Sequence, residues 1–174
     1  GKITSGTLFE NHPTLPINLY GLSKLLSENQ LSIISNFSSF TNLLHLRLPG
    51  IISKESRGIF IASLIEKIKN NQPIKVFSKD SLFNNATTSY DIARTIKSFI
   101  EIHEHLPKEV FLNMCSKDVQ SIYKIINLLS MKLNRSSPNL LIDKNISTFL
   151  IKNHHNYKLL KNSLLSEMFN EILE

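Results

Sequence analysis

The sequence has few of the residues that mark disulfide-rich, metal-binding or membrane proteins. Its one cysteine, Cys115, has no second thiol with which to form a disulfide or a thiolate metal site. No stretch approaches the roughly 18 consecutive apolar residues of a membrane span, and the first residues lack the basic-then-apolar layout of a signal peptide. We therefore expect a cytoplasmic protein with no membrane partner, in which Cys115 is a buried structural thiol.

Glycine is also scarce. The five glycines, at positions 1, 6, 21, 50 and 58, never form the Gly-x-x-Gly-x-x-Gly turn that cradles a dinucleotide pyrophosphate. Gly1 and Gly6 have the spacing of a phosphate loop, but Thr7 stands where its lysine is required, which argues against a nucleoside triphosphate site. Because the first residue is glycine and not methionine, we expect the chain to be a piece of a longer or processed product.

Arginine makes up only four of the 20 basic residues, although it is the usual reader of phosphates and base edges. The net charge of +6 is dispersed along the chain, with no basic stripe carrying interleaved aromatic residues. We expect no nucleic-acid partner, and an anionic small substrate would suit this charge equally well.

The remaining composition is that of a folded protein: 174 residues, of which 41% are hydrophobic and 20% charged, allow one domain or one and a half smaller lobes. Apolar periodicity predicts helices over residues 19–37 with Asn18 as N-cap, 59–69, from Asp91 onward, 119–133 and 158–173. Strands are predicted over 43–48, 74–77 and 110–112, and loops or short elements over the first fifteen or so residues and over 134–150. Helices alternating with short strands indicate an α/β fold.

Tyr20 and Lys24 are the residues best placed for chemistry. At positions i and i+4 of the first predicted helix they lie on one face, within reach of a common ligand. A nearby ammonium favours the phenolate form of a tyrosine, which could then exchange a proton with a sugar hydroxyl or carbonyl. Spacing alone is weak evidence, because the same pair occurs by chance in many helices.

The residues around this pair carry a more specific signal, the series Glu10, Pro13, Pro16, Tyr20-Gly21-Leu22-Ser23-Lys24, Glu28. It resembles the Glu, Pro, Pro, Tyr-Gly-x-Ser-Lys, Glu series of extended short-chain dehydrogenases/reductases, the NAD-dependent epimerase/dehydratase family. Further likenesses to that family follow in the same order, at Leu46-Arg47-Leu48-Pro49-Gly50, Gln72-Pro73-Ile74-Lys75-Val76-Phe77, Phe83-Asn84-Asn85, Asp91-Ile92-Ala93 and Val110-Phe111-Leu112-Asn113. The resemblance covers most of residues 1–133.

The resemblance implies the C-terminal part of a Rossmann-like, doubly wound parallel sheet with a smaller substrate-binding lobe. Residues 1–50 would end the Rossmann-like domain, and 51–174 would form the lobe with returning strands and helices. Tyr20 would be the catalytic acid/base, and Lys24 would tune it and hold the nicotinamide ribose. The segment Leu48-Pro49 would lie against the nicotinamide, and Glu10 would lie on the substrate-side loop.

The resemblance implies that the whole protein is an oxidoreductase or isomerase of nucleotide-sugar metabolism that uses NAD or NADP. It also implies a sugar or nucleotide-sugar substrate and a possible homodimer through the Tyr20 helix. The chain departs from the family pattern in three ways. The Ser or Thr that completes the catalytic triad would lie upstream of Gly1; Gly50 replaces an Asn; and Asn84 replaces the Arg that pairs with the substrate diphosphate. The alternative is a non-catalytic remnant or binding module, and we expect the isolated chain to be inactive.

Two weaker signals remain. His154-His155 and His103-x-His105 could bind metal, but no acid or cysteine completes a ligand set, so we expect no metal site. The terminal helix carries leucines beside lysines and could lie on a membrane or a partner. Its mixed faces favour a helix docked on its own domain.

Overall fold

The computed structural model describes residues 5–37, 42–146, 148–153 and 159–173, and these ranges contain five helices and ten strands. The helices are α1 (Leu19–Phe37), α2 (Phe60–Lys69), α3 (Ser89–Ile102), α4 (Ile122–Lys132) and α5 (Leu165–Leu173). The strands are β1 (Ser5–Leu8), β2 (Leu43–Arg47), β3 (Gly50–Ile52), β4 (Ile74–Val76), β5 (Leu82–Phe83), β6 (Ala86–Thr88), β7 (Glu109–Asn113), β8 (Gln120–Ser121), β9 (Leu140–Ile142) and β10 (Thr148–Ile151). A short 3-10 turn follows α3.

The described strands form five pairs, and no pair joins strands that are consecutive in the chain. β1 pairs with β10, β2 with β7, β3 with β6 and β4 with β9, all in parallel, whereas β5 and β8 are antiparallel. Parallel pairing requires a crossover connection, which helices such as α2 and α3 provide here. The α/β prediction is confirmed, and the parallel pairs agree with part of a Rossmann-like fold.

Side-chain caps fix the starts of three helices. Asn18 Oδ1 accepts the Gly21 N–H at 2.8 Å, which confirms the predicted N-cap of α1. The Thr88 hydroxyl accepts the Asp91 N–H, and the Ser121 hydroxyl accepts the Lys124 N–H. Two predicted starts were therefore wrong: α3 begins at Ser89 and not at Asp91, and α4 begins at Ile122 because the residues before it form β8.

The main core lies where α2, α4 and α5 pack on β3, β4 and β6. The predicted apolar face of α2 is confirmed, since its buried residues are Ile61, Leu64, Ile65 and Ile68. A smaller cluster joins Val110 and Leu112 of β7 to Leu159.

The secondary structure near both ends of the described chain also differs from the sequence-based prediction. The terminal helix begins at Leu165, because Ser163 turns its N–H and hydroxyl to the buried carboxylate of Asp91. Lys158, where we expected that helix to begin, lies outside the described residues. Near the other end, β1 lies inside a segment predicted as loop, and it is a strand because β10 supplies its hydrogen-bonding partner.

Candidate functional site

Helix α1 presents Tyr20 and Lys24 on successive turns, as the spacing predicts. The Lys24 Nζ lies 5.3 Å from the centroid of the Tyr20 ring, within the range of a cation–π contact. Gly21 allows the preceding loop to approach closely, because a Cβ there would lie 3.2 Å from Asn18 Oδ1 and 3.3 Å from Pro16 Cβ. The N-terminal end of α1 is thus fixed by its cap and by this tight contact.

The pair is open to solvent in the described part of the chain. The Tyr20 side chain is 72% exposed, and no residue of α1 is buried. Large apolar side chains on the same helix are exposed too, among them Leu19, Leu26, Ile34 and Phe37. The described residues therefore do not supply the dry enclosure that makes charge–charge interactions strong.

A cavity of about 650 Å³ lies between α1 and β2, and we call it the helix cavity. Tyr20, Lys24, Glu28, His45 and Leu48 are among the residues that line it. The helix cavity therefore brings together the predicted acid/base, its lysine and one of the two residues expected to face the nicotinamide.

Arg47, at the carboxyl end of β2, connects this helix to the strands. Its Nη2 and Nε donate to the two carboxylate oxygens of Glu28, at 2.6 and 3.1 Å, and its Nη1 donates to the Glu10 carbonyl at 2.6 Å. The guanidinium carbon also lies 5.2 Å from the Phe111 ring centroid. These contacts fix α1, the loop before it and β2 relative to one another.

His45 is a cavity residue that the sequence did not single out as functional. It lies in the middle of β2 with its Nε2 2.9 Å from Glu109 Oε1, and its ring stacks on Phe111 with centroids 4.4 Å apart. The Ser32 hydroxyl of α1 donates to the same carboxylate oxygen. A lone histidine within an apolar strand was the only sequence signal, and that signal does not separate a core histidine from a site residue.

Two further cavities continue from the helix cavity. The junction cavity, of about 440 Å³, shares Thr14, Leu15, Arg47 and Leu48 with the helix cavity. The aromatic cavity, of about 320 Å³, shares Gly50, Asn85 and Phe149 with the junction cavity. Through these shared lining residues the three cavities adjoin one another in a series that begins at Tyr20, and we call this series the path.

Leu48 and Pro49 lie where this path begins. Leu48 lines both the helix and the junction cavities, and Pro49 lines the junction cavity. The structure therefore brings Leu48 to the same cavity as Tyr20 and Lys24, whereas Pro49 lies in the next one. Their contact with a nicotinamide stays a prediction.

Phenylalanine dominates the aromatic cavity, which is lined by Phe60, Phe77, Phe83 and Phe149. Lys75 is the one charged residue in its lining, and it is exposed. Such a lining suits an apolar or aromatic group of a ligand.

The two substitutions of the family pattern have different structural effects. Asn84 is 3% exposed, and both polar atoms of its carboxamide bind Ile151, since Nδ2 donates to the Ile151 carbonyl at 2.7 Å and Oδ1 accepts the Ile151 N–H at 2.9 Å. A Cβ at Gly50 would lie 3.5 Å from the Ile59 Cβ, which is an ordinary contact, so packing does not require glycine there. Asn84 therefore attaches β10 to the core, and Gly50 widens the path.

Glu10 lies on the loop beside the junction cavity, with its Oε1 accepting the Asn113 N–H at 3.1 Å. Burial and, less strongly, the negative charge of Glu10 raise the pKa of the Cys115 thiol to about 11. Cys115 is buried and stays a neutral thiol at physiological pH, as the sequence predicted for a structural cysteine.

The described ranges contain neither a group of metal-binding side chains nor a membrane-spanning helix. Within residues 5–37, 42–146, 148–153 and 159–173, no three His, Cys, Asp or Glu side chains are grouped as metal ligands. The His154-His155 pair falls outside these ranges. None of the described helices has the length and apolar character needed to cross a bilayer.

The described chain has a fold similar to part of the fold of several solved nucleotide-sugar epimerases and of a related reductase. It is similar to UDP-glucuronic acid 4-epimerase from Bacillus cereus, solved with UDP-glucuronic acid and NAD, with 20% identity and a TM-score of 0.71 over 99% of this chain and 56% of that one. It is also similar to MoeE5, solved with UDP-glucose and NAD, with 16% identity and a TM-score of 0.66 over 97% and 58% of the two chains.

A third similar structure is dTDP-4-dehydrorhamnose reductase from Yersinia enterocolitica, with 20% identity and a TM-score of 0.65 over 96% and 60% of the two chains. The chain thus spans little more than half the length of these proteins. No protein-family model matches the sequence, and no curated protein matches it either.

Proposed function

We propose that this chain is part of an NAD(P)-dependent epimerase, dehydratase or reductase that acts on a sugar or nucleotide-sugar. In this proposal residues 1–50 end a cofactor-binding domain and 51–174 form the substrate-binding lobe. One observation carries the proposal: Tyr20 and Lys24 line the first of three adjoining cavities, and the last of these is lined by four phenylalanines. The path suits a long ligand whose reacting end lies at Tyr20.

Each site residue has a proposed role. The Tyr20 hydroxyl exchanges a proton with a sugar hydroxyl or carbonyl. The Lys24 ammonium, beside the Tyr20 ring, would assist it and would donate to the nicotinamide ribose. Leu48 and Pro49 supply an apolar surface for the nicotinamide ring. NAD or NADP, when bound, supplies or accepts a hydride.

The residues of this chain suit the nicotinamide end of such a dinucleotide but not its pyrophosphate. The helix cavity offers one lysine, Lys24, and apolar side chains suited to a nicotinamide riboside. Neither β2 nor α1, which border this cavity, contains a glycine-rich turn that could bind the pyrophosphate. We therefore propose that the pyrophosphate is held by a part of the protein that precedes this chain.

Replacing Tyr20 by phenylalanine tests the proposal in the natural full-length protein. We expect Tyr20→Phe to abolish turnover of a panel of activated sugars while leaving NAD binding largely intact, because only the proton donor is lost. Tyr123→Phe is the matched control, since Tyr123 is half-exposed on α4 and lines none of the three cavities. Unchanged turnover in Tyr20→Phe would refute the proposed role.

A binding module without catalysis is the second candidate. It is favoured by the burial of Asn84, whose two polar atoms both bind Ile151, at the position where the family pattern has an Arg that pairs with the substrate diphosphate. Under both proposals the isolated chain should bind NAD only weakly. A calorimetric titration that gives micromolar affinity for the isolated chain would contradict that expectation.

We also propose that α1 forms a homodimer contact in a cytoplasmic protein. The apolar side chains exposed on this helix support a protein partner there. Light scattering on the full-length protein should give the mass of a dimer, and Leu26→Glu should shift it toward the monomer. A monomer mass for the unaltered protein would refute this contact.

A further inference from the structure

The aromatic cavity carries one charged side chain, Lys75, that the proposed chemistry does not use. Lys75 is the middle residue of β4, between the buried side chains of Ile74 and Val76, and it is exposed. Strand alternation therefore directs its side chain away from the core, and it lines the cavity together with Phe77 and Phe83. The flexible four-carbon stem of a lysine lets its ammonium reach a group that is bound beside the rings.

Lys75 has no described ion-pair partner. No carboxylate in the described ranges lies within ion-pairing distance of its ammonium. One other lysine and one arginine line the three cavities, and both have partners. Lys24 lies over the Tyr20 ring. Arg47 pairs with Glu28, so among these three side chains Lys75 is the one whose charge no described residue balances or contacts.

A second ammonium lies at the same cavity. Lys144, in the turn after β9, has its Nζ 4.4 Å from the centroid of the Phe77 ring, and that ring lines the aromatic cavity. The adjacent Asp143 forms no ion pair with either lysine within the described ranges, and its Oδ1 accepts the Asn145 N–H at 3.0 Å. Positive charge therefore predominates at an apolar cavity, and such a cavity attracts an aromatic ligand that carries an anion.

The residue at position 84 explains why such an anion needs a cation from elsewhere. The family pattern has there an arginine that pairs with the substrate diphosphate, whereas Asn84 is buried with both polar atoms on Ile151. A diphosphate bound along the path thus lacks that partner. In a nucleoside diphosphate the first phosphate lies one ribose away from the base, and an extended lysine side chain spans a comparable length.

We propose that Lys75 pairs with the diphosphate of a nucleoside diphosphate sugar whose base lies against the phenylalanines of the aromatic cavity. Lys75 thereby takes over the role of the arginine that Asn84 replaces, and Lys144 adds to the positive potential. The inference rests on the proposed function, because it assumes that a nucleotide-sugar occupies the path from Tyr20. It assigns phosphate recognition to a residue other than the one in the family pattern.

Diphosphate binding to the natural full-length protein tests this assignment. The probes are UDP, dTDP and GDP with the nucleosides uridine, thymidine and guanosine, titrated by calorimetry with NAD present to fill the cofactor site. At least one diphosphate should bind more tightly than its nucleoside by about tenfold or more. Failure of all three diphosphates to bind, or equal affinity of each diphosphate and its nucleoside, would overturn the proposal.

Substitutions at Lys75 separate charge from packing. Lys75→Met removes the ammonium and keeps most of the apolar stem, so it should weaken diphosphate binding about five- to tenfold and nucleoside binding less than about twofold. Lys75→Arg keeps the charge and should stay within about threefold of the unaltered protein. Equal losses for diphosphate and nucleoside, or unchanged diphosphate affinity in Lys75→Met, would refute the pairing. Lys69→Met, at an exposed position of α2 outside the three cavities, is the matched control and should bind normally.

The outcomes also separate this inference from the proposed function. With a nucleotide-sugar that the protein turns over, Lys75→Met should raise KM about fivefold and leave kcat nearly unchanged, because Lys75 binds a part of the substrate remote from the reacting end. Turnover that depends on Tyr20 and not on Lys75 would reject this inference and keep the proposed activity. Diphosphate binding that depends on Lys75, in a protein whose Tyr20→Phe variant reacts normally, would keep the phosphate site and reject the catalytic role.

Discussion

The ion pair between Arg47 and Glu28 should be a measurable part of the stability of this fold. Two hydrogen bonds join the side chains, and these are only 26% and 19% exposed, so water screens the pair less than it screens a surface pair. A partly buried, bidentate, charge-assisted contact of this kind has an expected coupling energy of about 1.5–2 kcal/mol, between the values for exposed and buried pairs. For a chain of this length that corresponds to a Tm shift of about 5 °C.

A double-mutant cycle with Glu28→Gln, Arg47→Met and the combined variant measures this coupling. Arg47→Met should cost more than Glu28→Gln, because it also removes the bond to the Glu10 carbonyl and the contact with Phe111. Urea unfolding followed by circular dichroism gives the free energies. The exposed Lys97–Glu101 pair, at 3.8 Å on α3, is the matched control and should show coupling close to zero. A coupling below about 0.5 kcal/mol for Arg47 and Glu28 would refute the reasoning.

Three further predictions concern stability and reactivity. Leu129→Ala, at a fully buried core position, should lower the free energy of unfolding by about 3 kcal/mol, and a loss below about 1 kcal/mol in urea unfolding would contradict the described packing. Asp91→Asn should expose Lys161 to trypsin, because the carboxylate holds Ser163, and unchanged cleavage would refute that role. Because Cys115 binds its proton more tightly when folded, stability should fall as pH rises from 9.0 toward about 11, and Cys115→Ser should remove this fall.

The sequence predicted the helices better than the strands. The long apolar periodicity of α1 and α2 gave their bounds to within a residue, because the helix pattern is local. Strands of two to four residues, such as β5 and β8, carry no such pattern and exist only through partners distant in the chain. The start of α5 was missed for a similar reason, since Asp91 sets the conformation of the residues before it.

The site was predictable only in part. Spacing put Tyr20 and Lys24 on one helix face, the family resemblance added Leu48, and the structure brings all three to one cavity. Nothing in the sequence indicates that both polar atoms of Asn84 bind a single residue of β10. That depends on which atoms meet after folding, and residue type alone does not determine it.

The pairing of β1 with β10 has a consequence for synthesis of the chain. Leu8 lies in register with Ile151, and its carbonyl accepts the Lys152 N–H at 2.9 Å, so the earliest strand described has its partner far along the sequence. While the ribosome adds the residues between them, β1 lacks β10, and the edge that β10 covers is open to other chains. Closing so long a loop also slows folding. Expression at lower temperature, or with a chaperone that shields strand edges, should therefore raise the soluble yield of this protein.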